Sequence, residues 1–382
     1  MTATWERKGR VDIDKVEPAL RTLWSSAGPQ GQPVTRVQHM TLVAVCETPD
    51  HQKVADAALS SVGGAHGART IVITTREGGA RPSIVADVAL HPRAARPELP
   101  GGEQVHLEAL GGARGWIPDT LSKLLASDLP IYVWWVGDLP DDDELFDRVA
   151  PLSKLAIFNS NDMDLRDLST LDRLAAGEDH RYALADFAWH RLRTWQDLVA
   201  RFFDDPGCAA ELSSLTEVII SFRVRRDPSR SKDPISNQAA LFAGWWMHAL
   251  SLELSSWSTS GEPTATLTRA GAGKGAVTLR FRPIDRGDLP TGAIDSIELK
   301  SPSSSYHVGR DEKDPFVVCW AGEHPKNPIP KQCVRIHFPD EARMLGYVLE
   351  HPIRDPLFEA SLHTAATLVS SIAPSAPKGG AT

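Results

Sequence analysis

The stretch SDLPIYVWWVGDLPDDDELFD, residues 127–147, decides how the first half of the chain is read. Its run from Ile131 to Val136 carries apolar side chains on both faces. A strand of that kind must be covered on both sides, as a central parallel strand is. The run stops at Gly137-Asp138, and open α/β sheets place their ligand crevice beyond such a carboxyl edge. Asp138, Asp141, Asp142, Asp143 and Glu144 are oxygen ligands of the type that Mg²⁺ takes. A helix start accounts for them more simply, because acids in a first turn satisfy free N–H groups and the helix dipole.

Working outward, strand and helix patterns alternate. HMTLVAVC (39–46) and ARTIVITT (68–75) are apolar runs, with a helical stretch between them from His51 to Val62. SIVADVAL (83–90) and EQVHLEAL (103–110) alternate apolar and polar residues, as half-exposed strands at a sheet edge do. WIPDTLSKLLAS (116–127) reads as a helix, KLAIFNS (154–160) as a last strand and DLRDLSTLDRLAAG (164–177) as a last helix. This rhythm predicts an α/β domain with a mostly parallel sheet over residues 36–178. Residues 1–35 read as an N-terminal helix and linker. Asp14 caps the helix, Glu17 completes a capping box, and Val16, Leu20, Leu23 and Trp24 share one face.

After residue 178 the rhythm changes. DFAWHRLRTWQDLVARFFDD (186–205) reads as one Trp-rich helix, followed by the strand TEVIISFRVRR (216–226) and the helix ISNQAALFAGWWMHALSLEL (235–254). Six strand-like pieces follow before two closing helices, at about 340–350 and 355–372. Grouped strands flanked by helices predict an α+β domain with an antiparallel sheet over 179–374. Residues 375–382 read as a disordered tail.

Composition narrows the function classes. The 382 residues are 42% hydrophobic and 24% charged, as in a globular protein, with a formal net charge of −8. That balance argues against nucleic-acid binding, and no apolar run reaches the roughly 20 residues that cross a bilayer. The polar start, MTATWERKGRVDID, lacks the apolar core of a secretion signal, so a cytoplasmic location is expected. Cys46, Cys208, Cys319 and Cys333 are widely spaced and read as ordinary thiols, although Cys319 and Cys333 fall in neighbouring strand-like segments.

Most catalytic motifs fail on inspection. GAGKGA (271–276) satisfies G-x-G-x-x-G/A in letters, but a strand pattern, AVTLRFRP, follows it where the fingerprint needs a helix. It reads as a glycine-rich hairpin. No two His lie within four residues of one another, no G-x-S-x-G elbow occurs, and neither a metal nor a cofactor is expected.

Two groups suit binding instead. FRVRRDPSRSK (222–232) offers Arg223, Arg225, Arg226 and Arg230 as an anion site for a sugar phosphate or an acidic surface, against a solvated loop as the plain reading. Trp189, Arg191, Arg193 and Trp195 fall on one predicted helix, with Trp245 and Trp246 on another. Helically spaced aromatics are ordinarily core, yet Trp and Arg also dominate binding hot spots.

LLASDLPIYVWWVGDLP (124–140) resembles the DLP-hydrophobic-WW-x-G-x-P segment of the OpcA family, the glucose-6-phosphate dehydrogenase assembly proteins, and LADFAWHRLRTWQDLVARFF (184–203) resembles that family's L-x-W-x-R-L-x-x-W helix. Order and spacing fit over residues 10–372. Gln196 departs from the family pattern, in which a basic residue follows the second Trp. The resemblance implies a non-catalytic partner that assembles or activates glucose-6-phosphate dehydrogenase at the entry to the oxidative pentose phosphate pathway, with redox control in some members. The other function class to weigh is a sugar-phosphate or nucleotide sensor or enzyme, using the α/β crevice and a small-molecule regulator there.

Overall fold

The computed structural model describes residues 8–27, 34–36, 38–76, 81–93, 96–126, 128–139, 144–177, 182–224, 233–269 and 275–372. The chain forms two compact units that interleave in sequence. The first comprises 1–159, 178–187 and 339–354, and the second 160–177, 188–338 and 355–382. The two units exchange segments of chain on both sides of residue 178.

The strands of the first unit are β1 (Lys8–Val11), β2 (Met40–Cys46), β3 (Ala68–Arg76), β4 (Ser83–Arg93), β5 (Arg96–Leu110), β6 (Ile131–Val136), β7 (Leu155–Phe158) and β8 (Ala183–Asp186). They form one sheet in the order β1-β4-β5-β3-β2-β6-β7-β8. From β5 to β8 all pairings are parallel, whereas β4 and β1 add an antiparallel edge. The sequence reading missed β1 and β8. β8 is four residues long and runs straight into α6 (Phe187–Arg191), so its last residue, Asp186, reads as the onset of the Trp-rich helix.

The two-faced run at 131–136 is central, as its composition requires. Trp134 and Trp135 are each 1% exposed and point to opposite faces. Trp134 packs with Phe187 (centroids 5.7 Å), in a cluster with α2 (Pro49–His66) and α10 (Glu341–Glu350). Trp135 packs edge-on at 5.3 Å against Phe146 of α4 (Glu144–Val149). The acid run at 140–143 lies outside the described residues. α1 (Val16–Ser26) buries Val16, Leu20, Leu23 and Trp24 as patterned, but Asp14 does not cap it. Ile13–Lys15 is a 3-10 turn, and Glu17 is drawn to Arg69 and Arg36 rather than to a capping box.

In the second unit β9 (Glu217–Arg223), β10 (Leu252–Ser258), β11 (Thr264–Arg269), β12 (Val277–Ile284), β13 (Ile294–Lys300), β14 (Ser305–Arg310), β15 (Val317–Glu323) and β16 (Ile329–Arg335) form a second sheet. Its order is β10-β11-β12-β9-β13-β14-β15-β16, antiparallel except where β12 meets β9. β11 and β12 pair antiparallel, as the expected hairpin requires, while residues 270–274 between them lie outside the described residues. Val277, Leu279 and Phe281 are buried, while the alternate positions Arg280 and Arg282 join Glu217 and Glu298 in ion pairs on the other face. α9 (Asn237–Ala249) ends before the SLEL residues, of which Leu252, Glu253 and Leu254 begin β10 instead. It packs on α11 (Pro356–Ile372) at Gly244, where a Cβ would collide with the Ser361 carbonyl. No described helix is long and apolar enough to cross a membrane.

Cys319 and Cys333 face one another across β15 and β16 and are joined by a disulfide, so the reading of four ordinary thiols is corrected. The two strand patterns were legible; their register was not. Cys46 and Cys208 are free and buried, and burial pushes the Cys46 thiol up to about 12.

Candidate functional site

The parallel part of the first sheet, β5-β3-β2-β6-β7-β8, has the strand order 3-2-1-4-5-6 of a dinucleotide-binding fold. Its topological switch point lies between the carboxyl ends of β2 and β6. The turn leaving β2 reads Glu47-Thr48-Pro49-Asp50-His51 and leads directly into α2. Thr48 caps the helix, its hydroxyl accepting from the His51 N–H at 3.2 Å, and Pro49 occupies the first helical position. Glu47 pairs with Arg114 at 3.5 Å, and Asp50 with Lys53 at 2.8 Å. Across the gap, Gly137 leaves β6 with φ +109°, and a Cβ there would run into the His51 ring. The His51 Nδ1 is buried, with no hydrogen-bond partner among the described residues. Trp135 donates to the Asp138 carbonyl at 3.1 Å, closing the same turn.

The opposite end of that sheet holds a charged network. The Glu103 side chain is fully buried and accepts from Trp24 Nε1 (2.7 Å), Arg69 Nε (2.9 Å) and Arg36 (3.0 Å), with Gln38 as a fourth donor. Arg69 also donates to the Leu124 carbonyl at 2.7 Å. Burial alone would push the Glu17 carboxyl up, but Arg69 and Arg36 together outweigh it and hold it below the usual range. Behind Glu103, Thr70 donates to the Glu103 carbonyl and meets His91 Nε2 at 2.8 Å. This end ties α1 and the following segment to the sheet, and its donors are spent internally.

The Trp/Arg segment is two short helices, α6 and α7 (Arg193–Arg201), broken at Leu192. Trp189 and Trp195 are each 2% exposed. The Trp189 indole donates to Asp355 at 3.1 Å and lies on Phe358, centroids 5.6 Å apart. The Arg310 guanidinium sits 5.3 Å from the centre of the Trp195 ring. Both indoles are therefore core, as helical spacing ordinarily implies, whereas Arg191 is half-buried and Arg193 exposed. Gln196, the departure from the family pattern, is buried.

Of the proposed anion site, Arg225, Arg226 and Arg230 lie outside the described residues. Arg223 ends β9 half-buried, with its backbone paired to Ala293 and Gly292. A cavity of about 430 Å³ opens beside it, lined by Phe222, Val224, Ser236, Asn237 and Thr291 among others. Asn237 donates to the carbonyls of Ser160 and Met163, and Ser236 caps α9, so these polar groups are already engaged. No group of His, Cys, Asp and Glu among the described residues is placed to hold a metal ion.

Comparison with known proteins bears on both units. Residues 60–176 match the family described as "Glucose-6-phosphate dehydrogenase subunit N-terminal domain", and residues 182–362 the corresponding "C-terminal domain". The chain is 30% identical over 147 residues to a Synechococcus elongatus protein named as an OxPP cycle protein OpcA, and 32% identical over 149 residues to its Nostoc punctiforme namesake. Each match takes in 38% of this chain and only 28% or 27% of the relative, so the chain aligns with under a third of their length. Among solved structures, the transcriptional regulator Gal80p of Kluyveromyces lactis superposes with a TM-score of 0.50 at 9% identity, covering 90% of this chain and 93% of that one. The 3-ketoreductase KijD10 of Actinomadura kijaniata reaches 0.48 at 13% identity, covering 87% and 96%. At such identities the likeness to Gal80p speaks for fold alone. With both of its domains matched in order over most of the sequence, the chain belongs to the OpcA family of glucose-6-phosphate dehydrogenase subunits.

Proposed function

We propose that the protein is a non-catalytic assembly and activating factor for glucose-6-phosphate dehydrogenase in the oxidative pentose phosphate pathway. The observation that carries this reading is the match of both family domains, each described as a part of the dehydrogenase's subunit. The switch-point turn supports it. Its threonine caps a helix and its two acids pair with Arg114 and Lys53, and they form no nucleophile–base pair of the kind that covalent catalysis needs.

Contact with the dehydrogenase is proposed through the exposed surface around Arg193 and Arg191, with Trp189 and Trp195 holding that surface from beneath. Interface energy concentrates in a few Arg and aromatic side chains, so an Arg on a rigid, core-anchored helix is a suitable contact. The test is an activity assay of the same organism's dehydrogenase with and without this protein, with light scattering on the same mixtures. Higher activity together with a larger particle is expected; no change in either would overturn the reading. Arg193→Glu should weaken the complex and leave the circular dichroism spectrum unchanged. Normal binding by that variant would move the contact elsewhere while leaving the function standing.

A further inference from the structure

The strand order of the first unit implies a dinucleotide, and the residues at its switch point do not fit one. A dinucleotide needs three things where the first βα turn meets the helix. They are glycines that let backbone approach the pyrophosphate, free N–H groups at the helix N-terminus, and an electrostatic field that welcomes two negative charges. The turn Glu47-Thr48-Pro49-Asp50-His51 offers a glycine at none of its five positions. Pro49 has no N–H to give, and the His51 N–H is taken by the Thr48 hydroxyl. Glu47 and Asp50 add carboxylates to this turn, each paired with one cation, Arg114 and Lys53. On the far side of the gap, the His51 ring lies over Gly137 and fills the space that this glycine leaves open. Arg76, at the end of β3, would suit the 2′-phosphate of NADP by position, but it is paired with Glu108 at 2.8 Å.

From this misfit we infer that the switch point is a dinucleotide site refilled by the chain's own residues. The unit keeps the sheet of a nicotinamide-dependent enzyme as a scaffold and excludes NAD(H) and NADP(H) from it. Acid, proline, cap and imidazole act together here, so no single substitution reopens the crevice. The inference rests on the geometry of the first unit and not on the assembly reading. A failed assembly assay leaves it untouched, and nucleotide binding would leave the assembly reading standing.

The experiment is calorimetric titration of the full chain, without dehydrogenase, against NADP⁺, NADPH, NAD⁺ and NADH. It is repeated on a Glu47→Ala/Asp50→Ala double variant whose fold is checked by circular dichroism. Flat titrations of the parent, meaning a Kd weaker than about 1 mM, are expected. Saturable heat in the parent whose affinity shifts in the double variant overturns the inference, because removing two carboxylates beside a bound pyrophosphate must alter its binding, on the order of tenfold. Saturable heat of the same affinity in both proteins lies outside the crevice and leaves the inference standing. Binding gained only by the double variant would identify the two acids as the larger part of the barrier.

Discussion

The two ends of the parallel sheet in the first unit use polar residues in opposite ways. At the end where β2, β3 and β5 begin, Glu103 is withdrawn from water entirely and gathers donors from residues 24, 36, 38 and 69. At the end where β2 and β6 finish, Glu47 and Asp50 stay at the surface, each in a simple pair, while a threonine cap and an imidazole fill the turn. A doubly wound fold ordinarily keeps its strand starts plain and spends its chemistry at the strand ends. Here the larger polar investment is at the starts. The charge that holds the fold together and the charge that would meet a ligand are thus separated along the strand axis, and they should respond to substitution very differently.

The largest effect is expected at Glu103. Its removal takes the fully buried carboxylate from Arg69, 5% exposed, and Arg36, 31% exposed, and leaves them only the partly exposed Glu17. Breaking a buried pair by deleting one partner costs about 3–5 kcal/mol. Glu103→Ala should therefore lower the unfolding free energy read from urea melts by about 3–5 kcal/mol. A loss under about 1 kcal/mol would show that water reaches the network, and the contrast between the two ends would disappear.

Next in size is a pH response from the same end. Burial first, and the nearby His106 second, push His91 down to about 4 from its ordinary 6.5, against the pull of Asp56. The unfolded chain takes up a proton on this ring as pH falls through 6.5, whereas the folded chain does not until about 4. Stability from this group is thus present above pH 6.5 and lost between 6.5 and 4. A displacement of that size corresponds to about 3 kcal/mol. Urea melts across this range should show the loss in the parent and a flatter profile in His91→Gln. Parallel profiles would mean that His91 does not carry it.

How much of this was legible in sequence depends on how local each cause is. The β6 run revealed its two-faced burial because the requirement is written within six residues. Both closing helices and the GAGKGA hairpin were legible for the same reason. Trp189 and Trp195 offered helical spacing that ordinarily means core and also suits an interface, and Asp355, Phe358 and Arg310, all remote in sequence, decide for the core. Glu103 read as one polar position in an alternating strand, since none of its partners is within 30 residues. The Cys319–Cys333 bond needed the register of β15 on β16, which is a tertiary quantity. The turn after Cys46 was visible as letters. Its meaning required the strand order, because nothing in the sequence says that β2 and β6 are neighbours.

A moderate effect is expected from the cap at the strand ends. Thr48 gives the His51 N–H its partner, and Thr→Ala at such a position costs about 1 kcal/mol. Thr48→Ala should shift the urea midpoint by that amount while leaving the Glu103 network untouched. A shift as large as that of Glu103→Ala would make the turn a second pillar of the fold and remove the distinction between the ends.

The smallest effect sharpens the comparison most. Glu47 and Arg114 are each about one third exposed and 3.5 Å apart, so water screens their attraction and Glu47→Ala should change stability by less than about 0.5 kcal/mol. The same chemical deletion, a carboxylate lost beside an arginine, is then worth roughly tenfold less at this end of the sheet than at the other. Equal losses from Glu47→Ala and Glu103→Ala in parallel urea titrations would show that the turn after β2 is held by its ion pair. A near-neutral Glu47→Ala leaves that carboxylate without a stability role. Its remaining effect would be on the potential at the mouth of the crevice, where its charge is shared with Arg114, a quantity that affinity for anions reads and unfolding does not.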